Sequence, residues 1–162
     1  MSSKAIHFVD RATDPWRPPT EGAFAPAAHT LLTLDQWSLL GDRWPAALPV
    51  GVTIANTIDV ETLIDQLPRW SMLALQFPKW TDGRAYSQAR LLRSRLRYAG
   101  EVRATGEVLV DMAPLMQRNG FDAALLRADQ SLDAARRALR FFVGHYQGDV
   151  RHSQPLFSRL EA

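Results

Sequence analysis

Lys79, Asp82 and Arg84 stand together in FPKWTDGRAY (77–86), between an apolar strand-like run and a long helical pattern rich in arginine. Such a junction can hold an anion. The free N–H groups and the positive dipole end of a helix favour negative charge, and a lysine and a guanidinium beside them strengthen that field. Arg103 and Glu107 join the candidate set because they lie in and just after a later strand-like run, EVRAT (101–105). In parallel α/β sheets, ligands collect at the carboxyl ends of the strands. That rule names Asn56 and Thr57, then Lys79, Thr81, Asp82 and Arg84, then Thr105, Gly106 and Glu107, then Arg127 and Asp129. If these residues converge on one rim, a small oxyanion or a phosphate suits their chemistry. Asp82 and Glu107 can act as an acid–base pair only if they meet in space.

Each of these residues also has a purely structural role open to it. Asp82 can cap the helix, Gly83 can take a positive φ in the turn, and Arg84 can pair with Asp82 or Glu107. Arg103 either points into the rim or forms an ion pair near Glu101. Other chemistries lack their signatures. The glycines nowhere show G-x-G-x-x-G, and there is no G-x-x-x-x-G-K-[ST] loop and no G-x-S-x-G elbow. The cofactor is therefore left unassigned. The histidines at 7, 29, 145 and 152 are scattered, and no metal site is expected from them. The absence of cysteine removes thiol catalysis and cysteine-ligated clusters.

The elements that must position the rim follow from periodicity. Residues 1–30, with Pro15, Pro18, Pro19 and Pro26, read as an irregular arm packed by Phe8, Trp16 and Phe24. Residues 31–147 read as a single α/β domain and 148–162 as a tail docked through Pro155, Leu156 and Phe157. Thr33 and Gln36 form a capping box for a short helix through Leu40, stopped by Gly41. Four strand–helix units follow. PVGVTIAN (49–56) precedes a helix capped by Asp59, with Val60, Leu63, Ile64 and Leu67 on one face and Pro68 at its end. SMLALQF (71–77) precedes a helix over 85–99, which buries Ala89, Leu92, Leu96 and Ala99. EVRAT precedes a helix capped by Asp111, with Pro114 in its first turn and Asn119-Gly120 at its end. FDAALL (121–126) precedes a last helix from near Asp129 or Ser131, with Leu132, Ala135, Leu139, Phe142 and Tyr146 inward. The alternation implies parallel pairing through right-handed crossovers, giving a small sheet, half-barrel-like or open. Four strands scarcely close a barrel, so an open sheet or a homodimer that completes itself is expected.

The chain has 162 residues, 46% hydrophobic and 22% charged, with a net charge of +2. Those values suit one globular domain. Nearly all the base is arginine, with lysine only at Lys4 and Lys79. The arginines lack the clustering and net basicity that nucleic-acid binding uses. No signal-peptide core is seen at the N-terminus, and no run approaches the ~18 apolar residues of a membrane helix. A cytoplasmic location is the expectation.

The block FPKWTDGRAYSQARLLRSRLRYAGEVRATGEVL, then Asp111 and RNGFDAALL, resembles an uncharacterised bacterial family, domain-of-unknown-function family 934. Its members carry the label of oxidoreductase. The resemblance spans roughly residues 30–147. Matching positions are Phe77, Pro78, Lys79, Asp82, Gly83, Arg84, Ser87, Arg90, Leu92, Arg93, Gly100, Glu101, Arg103, Gly106 and Asp111. The chain departs at Ala85, where glycine is usual, at Met112, where glutamine is usual, and at Asn119, where cysteine is common. The last departure argues against an essential thiol. Genes of that family lie beside the haemoprotein subunit of assimilatory sulfite or nitrite reductase, so the resemblance implies a role in sulfite reduction and sulfur assimilation. The family has no established catalytic residues to carry over. Two roles follow as alternatives: an oxidoreductase or ligand-binding domain with its site at the strand ends, or a non-catalytic partner that aids assembly of the reductase or electron delivery to it.

Overall fold

Thr33 and Gln36 close the reciprocal bonds that start the first helix. Thr33 Oγ1 accepts from the Gln36 N–H at 3.2 Å, and Gln36 Oε1 accepts from the Thr33 N–H at 2.9 Å. The computed structural model describes residues 5–19, 25–141, 146–150, 152–155 and 158. Its strands are β1 (His7–Phe8), β2 (Thr30–Thr33), β3 (Val50–Ile54), β4 (Met72–Phe77), β5 (Glu101–Gly106) and β6 (Ala123–Ala124). The α-helices are α1 (Leu34–Leu40), α2 (Arg84–Ser94), α3 (Ala113–Asn119) and α4 (Leu132–Ala138). The phenylalanine, leucine and histidine expectations at Phe24, Phe142, His145, Leu156 and Phe157 lie outside the described residues.

All pairings are parallel, and the strands form one open sheet in the order β1-β6-β5-β4-β3-β2. From β2 to β6, each strand takes its place on the same side of its predecessor. Right-handed connections then put every helix on one face. The buried side chains agree. Leu32, Val50, Val52, Ile54, Leu73, Leu75, Phe77, Val102, Ala104 and Ala124 form the main core with Trp37, Ala89, Leu92, Met116 and Ala135. The alternate residues face the other way, as the two-residue period of a strand requires. On that side Met72 and Ala74 form a separate small cluster with Trp16, flanked by Leu31.

That second face is crossed by the segment joining β1 to β2, at opposite edges of the sheet. It acts as a strap. Asp14 meets Arg103 of β5, and Trp16 lies against Met72 and over Gly51. A Cβ at Gly51 would come within 3.0 Å of the Trp16 ring, so the small residue is what lets the ring sit down. Arg17 then bridges Thr30. The Leu31 N–H donates to Arg17 O at 2.7 Å, and the Thr33 N–H is taken by Gln36. The outer edge of β2 thus has its donors satisfied within the chain, which blunts pairing with another strand.

The arm expected to be irregular therefore supplies an edge strand, β1, and a sheet cover, and the sheet has six strands where four were expected. The stretch after β3 is not one α-helix. Asp59 does cap it, its Oδ1 accepting from the Glu61 N–H at 2.9 Å, but it forms two 3₁₀ turns, Val60–Leu63 and Leu67–Arg69. Pro68 disfavours an α conformation in the residue before it and supplies no N–H. Ile64, expected inward, is 51% exposed. α2 stops at Ser94 rather than near Ala99, because Arg97 takes a left-handed φ of 55° and turns the chain. Ala99 is exposed in consequence. Asp111 does not cap α3. It lies exposed in a 3₁₀ turn, Val110–Met112, that leads into the helix. Pro114 and Gly120 do take their expected places, Gly120 at a φ of 94°. Ser131 caps α4, with its Oγ accepting from the Ala134 N–H at 3.3 Å, and Ala135 is buried, whereas Tyr146 is 73% exposed. No described helix is long and apolar enough to cross a membrane.

Candidate functional site

The carboxyl end of β4 is the centre of the rim. Phe77, the last residue of the strand, is fully buried against Tyr86 and Phe121, with ring centroids 5.0 and 5.9 Å away. Gly106 lies beside it in register with a φ of 92°, where a Cβ would overlap Phe77 O. This close approach lets the Glu107 N–H donate to Phe77 O at 2.8 Å and sets Glu107 on the rim. Pro78, Lys79, Trp80 and Thr81 then leave the sheet, all of them exposed, with Trp80 at 55%. The Asp82 N–H donates to Lys79 O at 3.0 Å, which closes the turn into α2.

Asp82 and Arg84 pair with each other. Asp82 Oδ1 accepts from the Arg84 backbone N–H at 3.3 Å and from Nε at 3.0 Å, and Oδ2 accepts from a terminal guanidinium nitrogen at 2.6 Å. Gly83 needs no positive φ; it sits at −82°. On the neighbouring strand end, Asn56 is only 7% exposed and its Nδ2 has no hydrogen-bond partner in the described structure. Gln88 of α2 pins the same loop, its Nε2 donating to Ala55 O at 2.9 Å and to Ile58 O at 2.8 Å. The Arg84 side chain first, then its backbone N–H, hold the Asp82 carboxyl well below the usual aspartate range.

That depression has a definite sign. The ionised carboxylate is the form the folded protein prefers, so its contribution is present above the unfolded aspartate pKa and is lost only as pH falls through the lower folded value. In Arg84→Ala, Asp82 should titrate close to an ordinary aspartate. Carbon-13 side-chain shifts followed from neutral to acid pH would read this, and an unaltered Asp82 curve in the variant would contradict the pairing.

A second ion-pair group occupies the β5–β6 side of the rim. Arg127 donates to Glu107 Oε2 at 2.7 Å and to both Asp129 oxygens at 2.7 and 2.8 Å. Arg127 pulls Asp129 down to about 2. Asp82 and Glu107, which would have to meet for acid–base work, are therefore each engaged by a different arginine.

Arg103 is not on the rim. It pairs in register with Ala74 and Ala123 in mid-sheet, on the strap side. Its side chain is 5% exposed; Nε donates to Glu101 Oε1 at 2.7 Å and one terminal nitrogen to Asp14 Oδ2 at 2.8 Å. Of the two orientations open to it in the sequence, the structure takes the ion pair. Lys79 alone of the five candidates is left with an ammonium that has no ion-pair partner among the described residues. Among those residues no group of three or more His, Asp or Glu is placed to hold a metal ion.

The winding puts no topological switch point at these groups. In doubly wound sheets a crevice opens where the strand order reverses. Here the order steps one way from β2 to β6, and the only reversal joins strands at opposite edges. Two features of the structure were not legible beforehand. Asp14 has no motif to mark it, and its partner is 89 residues away. Trp80 was in plain view, but an aromatic beside a strand reads as core until its exposure is known.

The model of a family described as a bacterial protein of unknown function (DUF934) matches residues 51–157, and the chain belongs to that family. No curated protein and no solved structure matches the chain.

Proposed function

We propose that this protein acts in the cytoplasm as a non-catalytic partner in assimilatory sulfite reduction, docking through its carboxyl rim onto the reductase haemoprotein. The observation that carries the reading is how the rim spends its charges. Arg84 and Arg127 are each held by internal carboxylates at 2.6–2.7 Å, while Lys79 and the 55%-exposed Trp80 stand out at the same end of the sheet. Tryptophan is among the residues that dominate protein–protein contacts, and paired charges at the same end of the sheet suit the polar rim of such a contact. The sulfite context comes from the family resemblance and is part of the proposal.

Mixing the full chain with the haemoprotein subunit should give a complex by sedimentation velocity. Trp80→Ala should weaken it by about thirtyfold, the effect of a 2 kcal/mol hot spot, and Lys79→Glu should slow association. No association at micromolar concentrations, or a complex indifferent to Trp80→Ala, would remove this reading.

One observation favours a second reading, a ligand site at the same rim. Asn56 buries an amide donor without a partner beside the positive end of α2. An enzyme or ligand-binding domain would use it with Lys79 and Arg84 to hold an oxyanion or a phosphorylated cofactor. The visible spectrum of freshly purified protein separates the readings first, since a bound flavin would show there. A thermal-shift panel of sulfite, sulfate, nitrite, flavin nucleotides and NADPH follows. A shift that disappears in Asn56→Ala supports the ligand site, and a flat panel removes it.

A further inference from the structure

Away from the rim, a cleft of about 190 Å³ opens between α2, the end of α3 and residues 147–150. Arg90, Arg118, Asn119 and Asp149 give it polar walls, and Leu115 and Val150 give it apolar ones. We infer that this cleft is a binding site for a small monoanion with an apolar body, of the class of aliphatic carboxylates. The inference is independent of the rim and of the proposed docking role.

The sign of the charge comes from the guanidinium groups. Arg118 Nε is buried and has no hydrogen-bond acceptor; Asp149 Oδ2 is 3.6 Å away, too far for a hydrogen bond. An oxyanion in the cleft meets the 27% of the Arg118 side chain that stays exposed rather than the buried Nε. Arg90 is exposed, and its guanidinium makes no hydrogen bond or ion pair among the described residues. Among the described lining residues two guanidiniums stand with one carboxylate, a net positive charge.

A helix C-terminus would ordinarily work against an anion, because its last carbonyls carry negative partial charge. At the end of α3 those carbonyls are occupied. Leu115 O accepts from Asn119 Nδ2 at 2.8 Å, and Met116 O accepts from the Phe121 N–H at 3.2 Å. Gln117 O accepts from the Gly120 N–H at 3.3 Å, and Arg118 O accepts from the Val150 N–H at 3.2 Å. The repulsion a ligand would meet there is thereby blunted.

The size and the walls narrow the guest. The cleft has room for about six water-sized groups, enough for a short chain but not for a nucleotide. Leu115, 45% exposed, offers a hydrophobic surface that a bare inorganic anion would leave uncovered.

Hexanoate titrated into the full chain, followed by ¹H–¹⁵N spectra, tests the site. Saturable shifts at Leu115, Arg118 and Asn119 are expected, with a dissociation constant on the order of 1 mM. Arg90→Ala, an exposed substitution that leaves the thermal midpoint in place, should weaken binding about tenfold, and Arg118→Met should do the same. Acetate should bind more weakly and hexylamine should not bind. Shifts without saturation, equal binding of hexylamine, or unchanged affinity in Arg90→Ala would overturn the assignment.

Discussion

Arg103→Met lowers the stability of the fold by about 3–5 kcal/mol, the range for removing one partner of a buried ion pair. The reason lies in what the substitution leaves behind. Asp14 is 9% exposed and Glu101 is 25% exposed at the side chain, and both point at the guanidinium. Methionine fills much of the volume but cannot neutralise either carboxylate, so Asp14 must tear away from the sheet or stay buried and unpaired. Tearing away releases the strap, because Asp14 also accepts from the Trp16 N–H at 3.3 Å and helps seat that ring over Gly51. Denaturant melts should register the loss, equivalent to about 10 °C in thermal midpoint for a chain of this size. Limited proteolysis should at the same time open the strap around residues 10–19. Adding Asp14→Asn to Arg103→Met should recover part of the loss, since the double change removes the stranded charge. A single variant within 1 kcal/mol of the parent would mean that the triad contributes nothing net.

Arg93 should be nearly as costly to replace, for a different reason. Its guanidinium donates to three backbone carbonyls: Gly120 O at 3.0 Å, Tyr98 O at 2.5 Å and Gly100 O at 2.9 Å. It also pairs with Asp122, which itself accepts from the Val102 N–H at 2.8 Å. The side chain thereby ties the end of α2 to the start of β5 and to the turn before β6. Tyr98 stacks near the same guanidinium, 5.7 Å from ring centroid to carbon, and its buried hydroxyl donates to Trp70 O at 3.0 Å. Arg93→Ala should cost about 3 kcal/mol, less than the sum of its charge-assisted bonds because water reaches a side chain that is 15% exposed. Arg93→Lys should recover little, since a single ammonium cannot span acceptors that a planar fork reaches from several nitrogens. Urea unfolding of the two variants decides the matter: full rescue by lysine would show that charge alone mattered there.

These two arginines show where sequence reading was strong and where it was not. Thr33, Gln36, Asp59, Ser131 and Gly120 announce their roles because a cap is satisfied within a few residues of itself. The apolar runs at 50–54 and 72–77 announce strands because both faces must be covered, and the helix after the second shows its buried Ala89 and Leu92 at the right spacing. Pro68 and Arg97 set limits that periodicity alone does not show. One removes an N–H and constrains its neighbour, and the other adopts a backbone conformation that has no marker in an arginine. In the candidate site, Asp82 and Arg84 were legible as neighbours, whereas Lys79, Arg103 and Glu107 were grouped only by the rule that strand ends converge.

The sequence by itself determined a parallel α/β sheet, its helix caps, and membership of its family, because period and capping are properties of adjacent residues. Tertiary structure alone decided that β1 joins the sheet at its far edge, that the helices share one face, and that the strap covers the other. It also decided which acceptor each guanidinium takes. An arginine reaches about 7 Å from its backbone and binds whatever oxygen folding brings there, and neither a carbonyl nor a carboxylate 89 residues away leaves a trace beside it in the chain.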